Sequence, residues 1–172
     1  MEIKIREIMP DEFETLSGVA REIWLEHYTP LVGSAQVHYM IDTKQSPGNF
    51  KEEIERGGIY WLAIHNDKIV GYCAVLPEDG YLYLSKLYVQ RDYRGQGVAR
   101  KFMDKIFALT REWKLPAIRL NVNKNNIMSI ATYEHMGFNI IDSVVNDIGS
   151  GYVMDDFIME LVISDDEDEP GA

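Results

Sequence analysis

Val89-Gln90-Arg91-Asp92-Tyr93-Arg94-Gly95-Gln96-Gly97-Val98-Ala99 follows a strand-like run, Tyr81 to Val89, and opens a helix-like run, Arg100 to Trp113. A strand that ends in a glycine-bearing turn and then starts a helix leaves several backbone N–H groups without acceptors, because the first helical turn has none to offer them. The helix dipole adds about half a positive charge at the same point, and glycines let an anion reach the backbone without Cβ interference. These residues read as a site for phosphate. The spacing is not a dinucleotide fingerprint, since Gly95-Gln96-Gly97-Val98-Ala99-Arg100 lacks the third glycine. Nor is it a P-loop, since no Lys-Ser or Lys-Thr follows. An ordinary helix start with a glycine turn would use the same residues, so the turn alone leaves the choice open.

Upstream of the turn the chain begins with a near-alternating run, Ile3, Ile5 and Ile8 among charges, which predicts a strand over 2–8. Pro10-Asp11 starts a helix whose apolar positions Phe13, Leu16, Val19, Ala20, Ile23 and Trp24 recur at three- and four-residue steps. It is expected to end near His27, before Pro30. Ser34 is placed to cap a short helix through Val37, Met40 and Ile41, and Ser46-Pro47 precedes another helix, Phe50 to Arg56, stopped by Gly57-Gly58. The period then changes. Ile59 to Ile64 and Ile69 to Leu76 are β-rich runs joined by His65-Asn66-Asp67-Lys68, a hairpin connection. Downstream, Ala117 to Val122 reads as a strand, Met128 to Met136 as a helix closed by Gly137, and Phe138 to Val145 with Gly151 to Ile163 as two more strands. The order is β-α-α-β-β-β-α-β-α-β-β. Strands in a run followed by strand–helix alternation predict an α/β (α+β) mixed sheet with helices on both faces, in one domain.

At 172 residues, 46% hydrophobic and 11% aromatic, the chain has the size and apolar content of one ordinary domain. The expected domain covers 1–163, and the run Asp165-Asp166-Glu167-Asp168-Glu169 makes 164–172 an acidic tail expected to be solvated and disordered. No run approaches the roughly 18 apolar residues of a membrane span, and the first residues alternate rather than reading as a signal, so a cytoplasmic protein is expected. Cys73 is the single cysteine, within an apolar run where a buried thiol is the expectation. A net charge of −11 argues against nucleic acid and favours a cationic substrate. Locally the turn is basic, with Arg91, Arg94, Arg100, Lys101 and Lys105 against Asp92 and Asp104, which suits an anionic cofactor.

Arg94, Gly97 and Ala99 fit the pattern Arg or Gln, two residues, Gly, one residue, Gly or Ala. Further on, Asn126, Ser129, Tyr133, Gly137 and Phe138 fit Asn, two residues, Ala, three residues, Tyr, three residues, Gly-Phe, with Ser129 in place of alanine. These are motifs A and B of the GCN5-related N-acetyltransferases (GNAT), which the chain resembles over nearly its whole length, its first half in pattern more than in motif. The resemblance implies the GNAT fold, a single domain whose central strands, here Tyr81–Val89 and Ala117–Val122, splay apart. It implies acetyl-CoA as cosubstrate and no metal. The pyrophosphate would lie on Arg94, Gly95, Gln96, Gly97, Val98 and Ala99, with backbone contacts near Leu87 and Val89 and a contact from Asn126. Tyr133 would hydrogen-bond the CoA sulfur and protonate the leaving thiolate. From the residues alone, Asn126 stands where a side-chain oxygen caps its helix, a role compatible with cofactor contact.

The reaction so implied is direct transfer of acetyl to a primary amine. A free alkyl amine has a pKa of about 10.4, so only about one molecule in a thousand is nucleophilic at pH 7 and a proton must be removed. Many relatives carry a glutamate for this on the strand before motif A. Here that strand, Tyr81-Leu82-Tyr83-Leu84-Ser85-Lys86-Leu87-Tyr88, has no carboxylate. The candidates left for the acceptor side are Ser85 and, from the first helix, Trp24, Glu26, His27 and Tyr28; the last three read equally as the polar end of an amphipathic helix. Among GNAT proteins the layout most resembles the bacterial PaiA-type polyamine and small-amine acetyltransferases, and Asp155 and Asp156 would attract a polycation at the substrate entrance. The alternative acceptors are a protein or peptide N-terminus or an aminoglycoside. A noncatalytic acyl-CoA sensor is the alternative of another class. Paired terminal strands in this family imply a homodimer.

Overall fold

The computed structural model describes residues 2–163, so the acidic tail expected over 164–172 lies outside the described residues. Its elements are β1 (Lys4–Glu7), α1 (Phe13–Val32), α2 (Ser34–Lys44), α3 (Pro47–Glu55), β2 (Ile59–His65), β3 (Lys68–Glu78), β4 (Tyr81–Val89), α4 (Val98–Glu112), β5 (Ala117–Asn123), α5 (Ile127–His135), β6 (Asn139–Gly149) and β7 (Tyr152–Val162). The seven strands are ordered β1-β2-β3-β4-β5-β7-β6 in one mixed sheet. The described residues form two compact units, each made from two stretches of chain: 2–76 with 85–106, and 77–84 with 107–163. Among them no helix is long and apolar enough to cross a membrane.

In the first unit β2 pairs antiparallel with β1 and β3. The β2–β3 turn places both Asn66 (φ 50°) and Asp67 (φ 61°) in the left-handed region. That is the twist a two-residue hairpin needs, and Asn and Asp tolerate it best after glycine. One face of these strands carries Tyr60, Leu62, Tyr72 and Ala74, which form a buried core with Leu16, Ala20 and Ile23 of α1 and Phe50 of α3. The opposite face takes α4. A Cβ built on Gly71 would stand 2.9 Å from the Tyr88 carbonyl oxygen and 3.5 Å from the Phe102 ring, so β3 and β4 approach there as closely as a missing side chain allows. Cys73, two residues on and therefore on the same face, is fully buried, and burial raises its thiol pKa well above the ordinary value.

Three helices connect β1 to β2, the three segments read as helical from the sequence and one more than the condensed order β-α-α-β counts. α1 passes the predicted stop near His27 and continues through Pro30 to Val32. The proline removes only one donor in a turn that is already the last, and the Gly33 N–H closes the helix on the Thr29 carbonyl at 3.0 Å. Ser34 does not cap α2; it is the first helical residue, behind Gly33. Ser46 does cap α3, accepting the Asn49 N–H at 3.2 Å with Pro47 at the first position.

In the second unit β5 has two kinds of neighbour. Parallel pairs join Leu82–Leu84 of β4 to Ile118–Leu120, and antiparallel pairs run along β7 from Ala117↔Val162 to Asn123↔Asp156. The tight turn 149–151 returns β6 along β7, so β7 inserts between β5 and β6. Leu82, Ile118, Leu120, Phe138 and Met159 are buried, whereas Ile140, Ile141 and Val145 of β6 and Val153 of β7 are exposed.

Candidate active site

β4 ends at Val89, where the Gln90 N–H binds the Val70 carbonyl at 2.8 Å, and a single 3-10 turn, Arg91–Tyr93, carries the chain toward α4. Gly95 (φ 75°) and Gly97 (φ 83°) both lie in the left-handed region, and a Cβ on either would meet nothing within 4 Å. The backbone at this turn is thus held in a conformation favouring glycine while facing open space. The Lys101 N–H binds the Gly97 carbonyl at 3.1 Å and starts the α4 ladder, so the amides of Val98, Ala99 and Arg100 have no intrahelical acceptor. Val98 is buried and anchors the helix start, and Ala99 is half-buried. Gln96 spends its side chain locally, donating to the Asp92 carbonyl at 3.1 Å. This cradle of free amides in front of empty space fits a pyrophosphate.

Arg94 does not project freely. Its Nε donates to the Val89 carbonyl at 2.9 Å, and its two terminal nitrogens form a bidentate pair with Glu26 at 3.3 and 3.0 Å. Glu26 was placed on the acceptor side by the sequence; in the first unit it is the counter-ion of the turn. Of the other first-helix candidates, Trp24 is buried and stacks on Tyr28 at 4.1 Å, with Tyr88 edge-on at 5.4 Å. His27 meets the Tyr28 ring edge-to-face at 4.7 Å. Trp24 and Tyr28 therefore gather on Tyr88, with His27 against Tyr28, and Tyr88 lies between Leu87 and Val89, both half-buried on β4. Trp24 serves as packing, and Tyr28 and His27 are half-buried.

Ser85 leads to a residue the sequence reading missed. Its Oγ donates to Glu53 Oε2 at 2.7 Å, and the Lys86 ammonium donates to Glu53 Oε1 and to Asn49 Oδ1, both at 2.9 Å. Tyr60 O–H also donates to Glu53, and Lys86 lies over the Phe50 and Tyr60 rings at 5.8 and 5.6 Å. Glu53 and Lys86 are both buried. Burial by itself would raise the Glu53 carboxyl; the Lys86 charge and the bonds from Lys86, Tyr60 and Ser85 outweigh it and hold the pKa below its ordinary value. The strand without a carboxylate thus receives one from α3. No spacing rule could have found it, since 32 residues separate Glu53 from Ser85.

In the second unit Asn126 occupies the cap position of α5 and is buried, but its side chain makes no capping bond. Its backbone does the positioning, the N–H on the Asn123 carbonyl at 2.9 Å and the carbonyl on the Ile130 N–H at 3.0 Å. The side chain is thereby left out of the helix cap. Tyr133, two turns on, is half-buried, its ring edge-to-face with Phe138 at 5.5 Å. The Phe138 N–H closes on the Tyr133 carbonyl at 3.0 Å, which fixes where the ring leaves the helix.

The sequence profile of the GNAT acetyltransferase family matches residues 18–138. An uncharacterised N-acetyltransferase of Mycobacterium tuberculosis is 30% identical over 130 residues, 74% of this chain and 83% of that protein. A spermidine N(1)-acetyltransferase of Thermoplasma acidophilum is 22% identical over 160 residues, 90% of this chain and 97% of the relative. Among solved structures, the PaiA N-acetyltransferase of Thermoplasma acidophilum in complex with coenzyme A superposes with a TM-score of 0.82 at 23% identity, covering 95% of this chain and all of that one. The chain belongs to the GNAT acetyltransferase family. It is an acetyl-CoA-dependent N-acetyltransferase, and its acceptor is an amine.

Proposed function

We propose that this protein acetylates a primary amine of a polyamine such as spermidine, as a cytoplasmic homodimer. The observation that carries the acceptor class is the likeness, over 90% of the chain, to a spermidine acetyltransferase, and the net charge of −11 supports it by drawing in a polycation. The exposed apolar residues of β6 and β7 support the dimer.

The turn amides from Gly95 to Ala99 bind the pyrophosphate, with Arg94 adding charge when it leaves Glu26. Backbone N–H groups near Leu87 and Val89 donate to the acyl oxygen, and Asn126 contacts the cosubstrate. Acetyl-CoA supplies a thioester open to attack by a neutral amine. Tyr133 holds a proton on its hydroxyl and delivers it to the departing sulfur. Tyr28 and His27, with Trp24 packed behind them, line the acceptor side together with Ser85, and Glu26 joins them only when Arg94 leaves it.

The test is thiol release from acetyl-CoA with spermidine, spermine, an alanyl peptide and an aminoglycoside, run beside Tyr133→Phe. Turnover with the polyamines, reduced about 10²-fold or more in the variant at unchanged acetyl-CoA affinity, is expected. Turnover confined to the peptide or the aminoglycoside sinks the polyamine reading. Undiminished turnover in Tyr133→Phe sinks the acid assignment.

A further inference from the structure

Asp155 and Asp156 are adjacent in sequence and opposite in circumstance. Asp155 is half-exposed and paired with Lys124 at 2.7 Å. Asp156, expected at an open entrance, is 4% exposed and has no ion-pair partner among the described residues, and its Oδ1 is buried without a hydrogen bond. A buried carboxylate oxygen without a hydrogen bond destabilises the fold, and such an atom calls for an explanation.

Its surroundings say what kind. Asn121 donates to the carboxylate, and the Asn121 Oδ1 is itself held by the Tyr83 hydroxyl at 3.2 Å. Asn123 stands directly opposite Asp156 in the β5–β7 register, with its own Oδ1 taken by the Asn125 N–H at 2.8 Å. On the other side β6 presents Val144. The charges acting on the group are Asp155, which pushes the pKa up, and Lys124, which pulls it down while held on Asp155. Burial is the largest influence, and the carboxyl is raised to about 6. Among the described residues Lys124 is the cation acting on the group, and it is held by Asp155, so the Asp156 carboxylate suits the cationic group of a ligand.

The position is equally specific. The parallel pairs from β4 end at Leu120, so Asn121–Asn123 extend β5 beyond them, at the carboxyl end of a strand with a parallel neighbour, where open α/β sheets bind ligands. From Asn123 the chain turns straight into α5, the helix that carries Tyr133.

We propose that Asp156, with Asn121 and Asn123 beside it, receives the ammonium group of the acceptor and takes its proton. The inference rests on the acetyltransferase reading above. In the step, one N–H bond of the ammonium breaks and an O–H bond forms on Asp156. The freed nitrogen lone pair forms the C–N bond to the acetyl carbon as the C–S bond breaks, its electron pair going to sulfur. Sulfur takes the Tyr133 proton, and the second excess proton on nitrogen restores that hydroxyl. Asp156 returns its proton to solvent, one per acetyl transferred.

The experiment has two arms. In the first, kcat/KM for spermidine is measured against pH in the wild type and Asp156→Asn, with acetyl-CoA affinity by calorimetry. The wild type is expected to gain activity as pH rises through about 6, and the variant to lose that limb and fall about 10²-fold or more, acetyl-CoA binding unchanged. A variant that keeps the limb, loses less than about threefold, or loses acetyl-CoA affinity in parallel overturns the assignment. In the second arm, carbon-13 resonances of labelled aspartates are titrated in the wild type, Asp156 assigned with Asp156→Glu, with and without spermidine, an alanyl peptide or an aminoglycoside. A downward shift of the Asp156 midpoint with an amine is expected; no shift with any of the three overturns the proposal. If the wild type turns over no spermidine, this arm alone decides, and a shift with another amine retains the Asp156 site while the polyamine reading falls.

Discussion

Replacing Lys86 by methionine tests how the buried polar cluster of the first unit is balanced. Lys86 is 4% exposed, and its ammonium serves Glu53 Oε1 and Asn49 Oδ1, each at 2.9 Å. Methionine fills much the same volume and keeps the packing on Phe50 and Tyr60, but leaves Glu53 with two neutral donors, Tyr60 and Ser85, and no counter-charge. Stranding one charge of a buried pair costs about 3–5 kcal/mol, out of a total stability of about 5–15 kcal/mol. For a chain of this length that lowers Tm by about 6–20 °C. Urea unfolding at pH 7 should show the midpoint fall with an unchanged slope. The double variant Glu53→Gln with Lys86→Met removes the stranded charge and should recover part of the loss. The pH dependence carries the sign. Because the folded Glu53 pKa lies below the ordinary 4.5, its stabilisation is complete above pH 4.5 and lost as pH falls through the folded value. The gap between wild type and Lys86→Met should therefore narrow below pH 4.5. A loss under about 1 kcal/mol, or a double variant no more stable than the single one, would refute the argument that the charge pair is what the cluster depends on.

Gly97→Ala should raise the acetyl-CoA Kd at least several-fold with a stability loss of about 1–2 kcal/mol, since φ 83° disfavours any L side chain and the new Cβ occupies the open face of the turn; calorimetry with a melting curve reads both. Gly71→Ala should cost about 1–3 kcal/mol in urea unfolding, because its Cβ would stand 2.9 Å from a backbone oxygen that a strand cannot withdraw. Glu26→Gln should change stability by less than about 1 kcal/mol, the pair being more than a third exposed, yet tighten acetyl-CoA binding by freeing the Arg94 guanidinium. Val145→Lys should shift the elution volume to that of a monomer if exposed β6 forms the dimer; a wild type that elutes as a monomer at every concentration removes the dimer itself.

The strands were legible because alternation and turn residues agree: Tyr81–Val89 was read to the residue, and Asn66-Asp67 sat where two positive φ angles were needed. α1 was read short because proline usually ends a helix, and only a closing contact as local as Gly33 on Thr29 shows that the last turn tolerates one. The insertion of β7 between β5 and β6 follows from pairing across distant segments, to which a two-residue period is blind. For the proposed site, the glycine turn was put forward from local spacing, and Tyr133 from the motif that carries the family resemblance. Glu53 and the burial of Asp156 were not, because both are set by partners far along the chain. Asp155 and Asp156 read together as an open acidic entrance until the fold places one of the two carboxylates in the interior.

Cys73 lies at the centre of β3, wholly enclosed, its thiol held protonated by burial. A thiolate is the reactive form, so the folded protein should be silent toward thiol reagents while coenzyme A, as it is released, is not. The same enclosure turns this one sulfur into a clock. Its slow modification in the absence of substrate would time the openings that expose the first unit's interior, and ligands that bind the closed form would lengthen each tick.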